Sequence, residues 1–302
     1  MNKLNRINKD KAIRLTKRSL YLSMLYIILI GLSVMIMYPY IVKLITSFMT
    51  VDDLANPTVR FIPTEISITA WRMVFRRMNI LEAYWNSFFV AGVSAFLQVA
   101  ASSFIGYGFA RYDFPGKQIL FALVIFTMLV PFATVMLPYY LTFRHFNFIL
   151  GQVNLINTVW PNVIVSATGL GLKNGLYIFL FRQYFRGVPK ELEEAAFIDG
   201  AGPFKTYLRV MLPNATASIL TVFLLAFCWQ WTDTNFSAIF MTTRMTVVNA
   251  IPRLMLLEGQ DIIFMSAMSN IATLVVLLPI VLIYLVAQRS FVQGIERSGI
   301  TN

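Results

Sequence analysis

The stretch Glu194–Pro213, EAAFIDGAGPFKTYLRVMLP, is a short water-compatible interruption in a chain otherwise dominated by apolar runs. Just upstream, Val188-Pro189-Lys190-Glu191 reads as a helix start. Proline has no N–H to lose at the first helical position, and Glu191, Glu193 and Glu194 put negative charge at the positive end of the helix dipole. Leu192, Ala195, Ala196 and Asp199 follow at i, i+3, i+4 and i+7, which predicts one small, nearly smooth face. Gly200 is the expected stop, because glycine takes the left-handed cap conformation without a Cβ penalty. After the turn Ala201-Gly202-Pro203, a second amphipathic piece is expected, with Phe204, Leu208, Met211 and Leu212 on one side and Pro213 as its end. Taken locally, these features also fit an ordinary well-capped loop.

The spacing is more specific. Glu-Ala-Ala, three residues, glycine, nine residues, an aliphatic residue, one residue and Leu-Pro resembles the EAA loop of permease subunits in bacterial ATP-binding-cassette (ABC) importers. Those positions are Glu194, Ala195, Ala196, Gly200, Val210, Leu212 and Pro213; valine stands at 210 where isoleucine is more usual. Phe179–Phe185, Val188–Glu194 and the closing Gln288-Arg289 with Phe291–Ile295 look like the carbohydrate-type permeases of the maltose-importer class. The resemblance runs from about Asn86 to Gly294, with its anchors in order. It implies the type I ABC importer permease fold, a coupling helix over 191–200 that lies in a cleft of a separate ATPase subunit, and ATP and Mg bound only by that subunit. It also implies a second homologous permease, two ATPase subunits and an extracytoplasmic solute-binding protein, with residues 233–261 where the class reaches into its binding protein.

Composition sets the solvent. Of 302 residues, 58% are hydrophobic and 13% charged, more apolar surface than a soluble domain of this length can hide. The formal charge of +11 could point to nucleic acid. However, the basic residues flank apolar runs and form no aromatic-interleaved groove, which is the positive-inside pattern of a membrane protein. Cys228 is alone and His145 is the only histidine, so neither a disulfide nor a histidine metal site is available.

In chain order, residues 1–18 carry Lys3, Arg6, Lys9, Lys11, Arg14, Lys17 and Arg18 against Asp10, a basic cytoplasmic tail. The expectation is an all-α membrane protein with six transmembrane helices and both termini cytoplasmic. Its spans are Leu20–Phe48, Trp85–Ala110, Ile119–Phe143, Thr158–Phe181, Ala215–Trp231 and Ile262–Ala287. Pro39 is expected to kink the first span, and Lys43 to snorkel to the outer interface. Trp71, Val74, Phe75 and Met78 predict an amphipathic helix in the outer segment, and Asp52-Asp53 mark loop. Dense small residues in span two (Gly92, Ser94, Ala100, Ala101, Ser102, Gly106, Gly108) allow close helix contact. Pro131 and Pro138 predict a broken third span. The domain reading is 1–18 tail, 19–83 first helix and outer segment, 84–289 permease core with coupling loop 188–213, and 290–302 cytoplasmic tail.

The fourth span is interrupted by Gly169, Gly171 and Gly175 and holds Lys173-Asn174 near its middle or inner half. A membrane-centre lysine costs about 2.5–3.5 kcal/mol, so Lys173 should face protein or water, either lining a translocation path or paired with a carbonyl or a partner subunit. Gln230, Asp233 and Asn235 near the end of span five could meet sugar hydroxyls, or simply satisfy a helix end. There is no G-x-x-x-x-G-K-[ST] loop, no Ser/His/Asp set and no pair of intramembrane carboxylates. An energy source elsewhere is therefore required. Three classes compete: an importer permease for a sugar or another solute, an ion-coupled secondary transporter, and a membrane enzyme or scaffold. The secondary transporter wants midplane acids, which are missing; the enzyme wants clustered titratable groups, which are missing too.

Overall fold

The computed structural model describes residues 2–148, 151–255 and 261–299. Glu258 falls outside them, and the side chains of Lys3, Arg6, Lys9, Lys11, Arg14, Arg289, Phe291–Ile295 and Arg297 are likewise outside the described set. The protein is mostly helical. It falls into two compact units, Met1–Met73 with Gly259–Leu274, and Val74–Glu258 with Val275–Asn302.

In the first unit, α1 (Asn2–Thr46) is one helix that takes in the basic stretch and continues through Pro39. Its part Leu15–Thr46 is long and apolar enough to cross a bilayer. Lys43 does not snorkel: its Nζ donates to Asn270 Oδ1 at 2.9 Å, because an intramembrane ammonium is better held by a nearby amide than stretched to water. After a short α2 (Val51–Ala55), capped by the Thr50 hydroxyl, the Asp53 carboxylate accepts the Thr64 N–H at 3.0 Å and the Thr64 hydroxyl. Asp53 is thus a buried staple of the outer segment rather than a loop marker. The Thr64 hydroxyl bond holds its carboxyl below the ordinary carboxylate range. A depressed carboxyl contributes stability above that ordinary range and loses it as pH falls through the depressed value. Helix α3 (Thr69–Arg77) is amphipathic as expected, burying Ala70 and Val74 and exposing Phe75.

The second unit is arranged around α4 (Ile80–Arg111), the second helix of spanning length. A row at three- and four-residue intervals, Ala91, Ser94, Ala95, Gln98, Ser102 and Gly106, is buried along it. Beyond the turn at Gly116, α5 (Lys117–Thr127) and α6 (Phe132–Arg144) meet at 97°, broken before Pro131, which sits extended at φ −65°, ψ 136°. Pro138, by contrast, lies inside α6. The segment expected as an outer loop holds a minimal antiparallel hairpin, β1 (Phe146–Phe148) on β2 (Gly151–Val153), with Phe146 opposite Val153; the protein is therefore not wholly α.

The fourth expected span is two half-helices, α7 (Trp160–Ala167) and α8 (Asn174–Gly187). The break carries left-handed Gly169 (φ 77°) and Lys173 (φ 63°). It is held on α4 by Gln98 Nε2, which donates to Leu172 O at 3.2 Å, and by Asn174 Nδ2, which donates to Ser102 Oγ at 2.8 Å. Then follow α9 (Glu191–Ile198), α10 (Pro203–Thr206), a π-helical turn (Tyr207–Met211), α11 (Leu212–Asn214) and α12 (Thr216–Trp231). Two short helices, α13 (Phe236–Phe240) and α14 (Pro252–Met255), precede α15 (Ile262–Gly299), whose part Ile262–Gln288 is the third helix of spanning length. Around α4 pack α7, α8 and α12. Among the described residues, spans by length are three, or five if each bent pair counts as one.

The α4–α8 contact is set by Gly106. A Cβ there would stand 2.7 Å from Phe181 Cβ and 3.0 Å from Arg182 N, atoms fixed to backbone. Gly92 and Gly108 meet nothing within 4 Å, so among these three glycines the close approach requires only Gly106. Gly106→Ala is expected to lower the detergent melting temperature, with overpacking of about 1–3 kcal/mol outweighing the roughly 1 kcal/mol gain in helix propensity. Gly92→Ala should be neutral or stabilising, and thermal unfolding of the two variants side by side checks this.

Candidate coupling site

Helix α9 is built by its two ends. At the start, Lys190 O accepts the N–H groups of Glu193 and Glu194 at 3.0 and 3.1 Å, so Pro189 lies just outside the helix rather than at its first position. At the other end Ala201 N–H reaches back to Ala196 O at 2.9 Å and Gly200 N–H to Phe197 O at 3.0 Å, a complete Schellman motif. Gly200 has φ 75° and open space where a Cβ would be, so its constraint is conformational and not steric crowding.

The side chains of α9 divide between two surroundings. Glu193 turns inward, its Oε2 3.1 Å from Nε of Arg111, the last residue of α4, with the two side chains only 10% and 6% exposed. Arg111 Nη2 also donates to Val188 O at 2.6 Å. One guanidinium therefore ties α4 both to the entry of α9 and to its first turn. The remaining face is open: Glu194, Ala195, Leu192 and Phe197 are exposed, and Ile198 is 86% exposed. Ala196 is buried against its own chain, so of the two alanines only Ala195 offers a smooth patch to another protein. Large apolar side chains beside carboxylates on a short polar helix mark an interaction surface.

The second half of the loop is an elbow. Tyr207 and Met211 are buried and Phe204 and Leu208 are exposed, so the buried face is not the one the helical spacing predicts. Tyr207 is drawn in by its bond to Ser103 of α4, and a π turn follows in which Leu212 N–H donates to Tyr207 O, five residues back. Pro213 supplies no N–H, and Asn214 Nδ2 donates to Val210 O at 2.8 Å. Tyr184 OH donates to Asn214 O at 2.5 Å and Tyr207 OH shares a 2.8 Å hydrogen bond with Ser103 Oγ. At this elbow the chain bends 79° into α12. At the elbow itself Val210 and Leu212 are half-buried and Pro213 is exposed. In the turn between α4 and α5, Lys117 Nζ stands 2.9 Å from Asp113 Oδ1, and that hydrogen bond holds the Asp113 carboxyl below its ordinary value.

Of the second group of sequence-derived residues, Lys173 and Asn174 sit at the α7–α8 break, whereas Gln230 and Asp233 are buried and engaged with the start of α13. Lys173 Nζ lies 4.8 Å from the Trp229 ring centroid. Gln230 Nε2 donates to Ser237 Oγ at 3.2 Å. The Asp233 carboxylate accepts the N–H groups of Asn235, Phe236 and Ser237, at 3.2, 3.0 and 2.5 Å, and so caps α13. Sequence reasoning missed the Arg111–Glu193 pair. Arg111 read as an inside flank and Glu193 as a dipole charge, and nothing in their spacing joins them.

Helix α9 thus presents an acidic and apolar face on a mostly helical protein with helices of membrane-spanning length. The chain belongs to the family of binding-protein-dependent transport system inner membrane components, whose signature matches residues 98–297. It is 34% identical over 214 residues to a probable ABC transporter permease protein of Pyrococcus horikoshii, covering 70% of this chain and 73% of that one. It is 27% identical over 271 residues to the arabinooligosaccharides transport system permease protein of Halalkalibacterium halodurans, covering 87% and 90%. The crystal structure of a bacterial ABC transporter involved in the import of the acidic polysaccharide alginate superposes with a TM-score of 0.72 at 18% identity, over 90% of this chain and 96% of that one. The fold is thus that of a type I ABC importer permease, a multi-pass protein of the plasma membrane.

Removing one member of a buried ion pair strands the other, at a cost of about 3–5 kcal/mol. Arg111→Met and Glu193→Leu should each sharply reduce the yield of folded protein in detergent, while the double variant recovers most of it. Size-exclusion profiles and melting temperatures of the three variants test the coupling.

Proposed function

We propose that this chain is a transmembrane subunit of an ATP-driven importer for a sugar or oligosaccharide. The single observation that carries the mechanism is the exposed face of α9, held rigid by the Arg111–Glu193 pair and the Gly200 cap. In this reading α9 lies in a cleft of an ATPase subunit. Glu194 gives a charge-assisted hydrogen bond to a basic partner group, and Leu192, Ala195 and Ile198 fill the cleft. ATP and Mg bind only on the two ATPase subunits, and when these close, α9 is carried with them. Because Arg111 joins α9 to the end of α4, and α4 packs on α7, α8 and α12, the displacement reaches the membrane helices. Rigid-body motion of a packed bundle about a fixed site is the general form of alternating access.

The sugar assignment is supported by relatives named for saccharides, the arabinooligosaccharide permease among them. The remaining partners are a second homologous permease and an extracytoplasmic solute-binding protein that meets residues 233–261. The topology is six spans with both termini cytoplasmic. The α7–α8 pair counts as the broken fourth span, and 1–18, 19–83, 84–289 and 290–302 serve as tail, first helix with outer segment, core and closing tail. Val210, Leu212 and Pro213 serve the loop as its elbow, and Lys173, Asn174, Gln230 and Asp233 lie along the cargo route.

Gly200→Val forces a β-branched residue into the left-handed region, and Glu194→Lys reverses the docking charge. Both variants should insert and assemble normally yet lose most ATP-dependent uptake in reconstituted vesicles while hydrolysis continues. Uptake at the unmodified rate in both would remove the coupling-helix assignment.

A further inference from the structure

The α7–α8 break lines a cavity of about 290 Å³ whose far wall comes from the α5–α6 bend and the start of α13. Its lining joins three aromatic residues, Phe132, Tyr139 and Phe236, to Thr127, Asn174 and Lys173. Flat apolar faces beside a few polar groups suit a saccharide ring, which has one apolar and one hydroxylated aspect. The Asn174 side chain is 2% exposed; its Nδ2 is spent on Ser102 and its Oδ1 has no hydrogen-bond partner among the described residues.

Charge is the informative feature. No Asp or Glu lines the cavity, so Lys173 gives it a net positive charge. The contrast with Lys43 is direct: that lysine gives its ammonium to Asn270 Oδ1, whereas Nζ of Lys173 has only the face of Trp229, with no carboxylate or carbonyl in reach among the described residues. The site maintains this cation at some expense, because Lys173 also adopts φ 63°, a left-handed conformation uncommon for a residue with a long side chain. The positive end of α8 is not the source of the charge. A Cβ on Gly175 would stand 2.8 Å from Val124 O, so the carbonyl end of α5 already faces that helix start.

We infer that this cavity is a cargo site for an acidic saccharide, in which Lys173 pairs with a sugar carboxylate and the aromatic walls carry the ring. A uronate-containing oligosaccharide supplies both partners. A neutral sugar supplies only the ring and leaves the ammonium with the Trp229 face alone. The inference rests on the saccharide reading above and narrows it to one class.

The test uses the complete importer with its binding protein in vesicles. The probes are oligogalacturonate, oligoglucuronate and oligomannuronate, each offered beside its carboxyl-reduced neutral counterpart. Lys173→Gln should cut uronate uptake roughly tenfold or more, as loss of a charge-assisted hydrogen bond does, and leave any neutral uptake within about twofold. Lys173→Arg, which keeps the positive charge, should restore uronate uptake. Uptake of neutral saccharides alone, or equal effects of Lys173→Gln on both classes, overturns the acidic assignment while leaving a sugar importer. Uptake of neither class defeats the saccharide reading itself.

Discussion

One guanidinium organises the mechanical side of this protein. Arg111 ends α4, donates to Val188 O and pairs with Glu193, so the longest buried helix of the second unit and the protruding α9 share a covered ionic joint. A surface pair in that place would contribute at most about 1 kcal/mol and would fray. A covered one is different in kind: its partners cannot separate without stranding a charge, so the joint resists opening. The Schellman cap at Gly200 fixes the other end of α9 by backbone bonds alone. Between these two ends, eight residues behave as one rigid piece, which is what a helix must be if it is to transmit a displacement rather than absorb it.

Rigidity at the joint is matched by close packing behind it. Gly106 brings α4 against Phe181 and Arg182 of α8, and Tyr207 bonds Ser103 of α4 from the far side of the loop. The elbow at Val210–Pro213 then turns the chain by 79° into α12. Motion imposed on α9 therefore has two routes into the rest of the second unit, through Arg111 and through the π turn. Both reach α4.

Legibility in the sequence followed the range of the forces. The cap at Gly200 was readable because the requirement is local: one residue must take a positive φ. The loop as a whole was readable from its motif spacing, and the broken third span from Pro131. What failed were features decided by contact. Ala196 faces its own chain because α9 is docked by Glu193, which no helical wheel of so short a helix reveals. Tyr207 is buried beside Met211 while Phe204 and Leu208 stay exposed because Tyr207 bonds Ser103 of α4, a contact that spacing does not show. The interruption of the fourth span was readable from Gly169, Gly171 and Gly175, but not the bonds from Gln98 and Asn174 that satisfy the gap between its two half-helices. Asp233 and Lys43 were readable as polar residues in apolar surroundings, but their partners, the N–H groups of 235–237 and the Asn270 amide, were not.

The central claim is that α9 and α4 move as one body. Its most direct test is a distance between spin labels at Ala100 on the exposed side of α4 and at Asp199 at the end of α9. It would be measured on a Cys228→Ala background in the assembled transporter, with and without ATP. The account predicts one narrow distance that nucleotide does not change, and a broadened one when Glu193 is replaced by glutamine. A distance that shifts on ATP binding with the ion pair intact would contradict it, because α9 would then be sliding on α4 instead of carrying it.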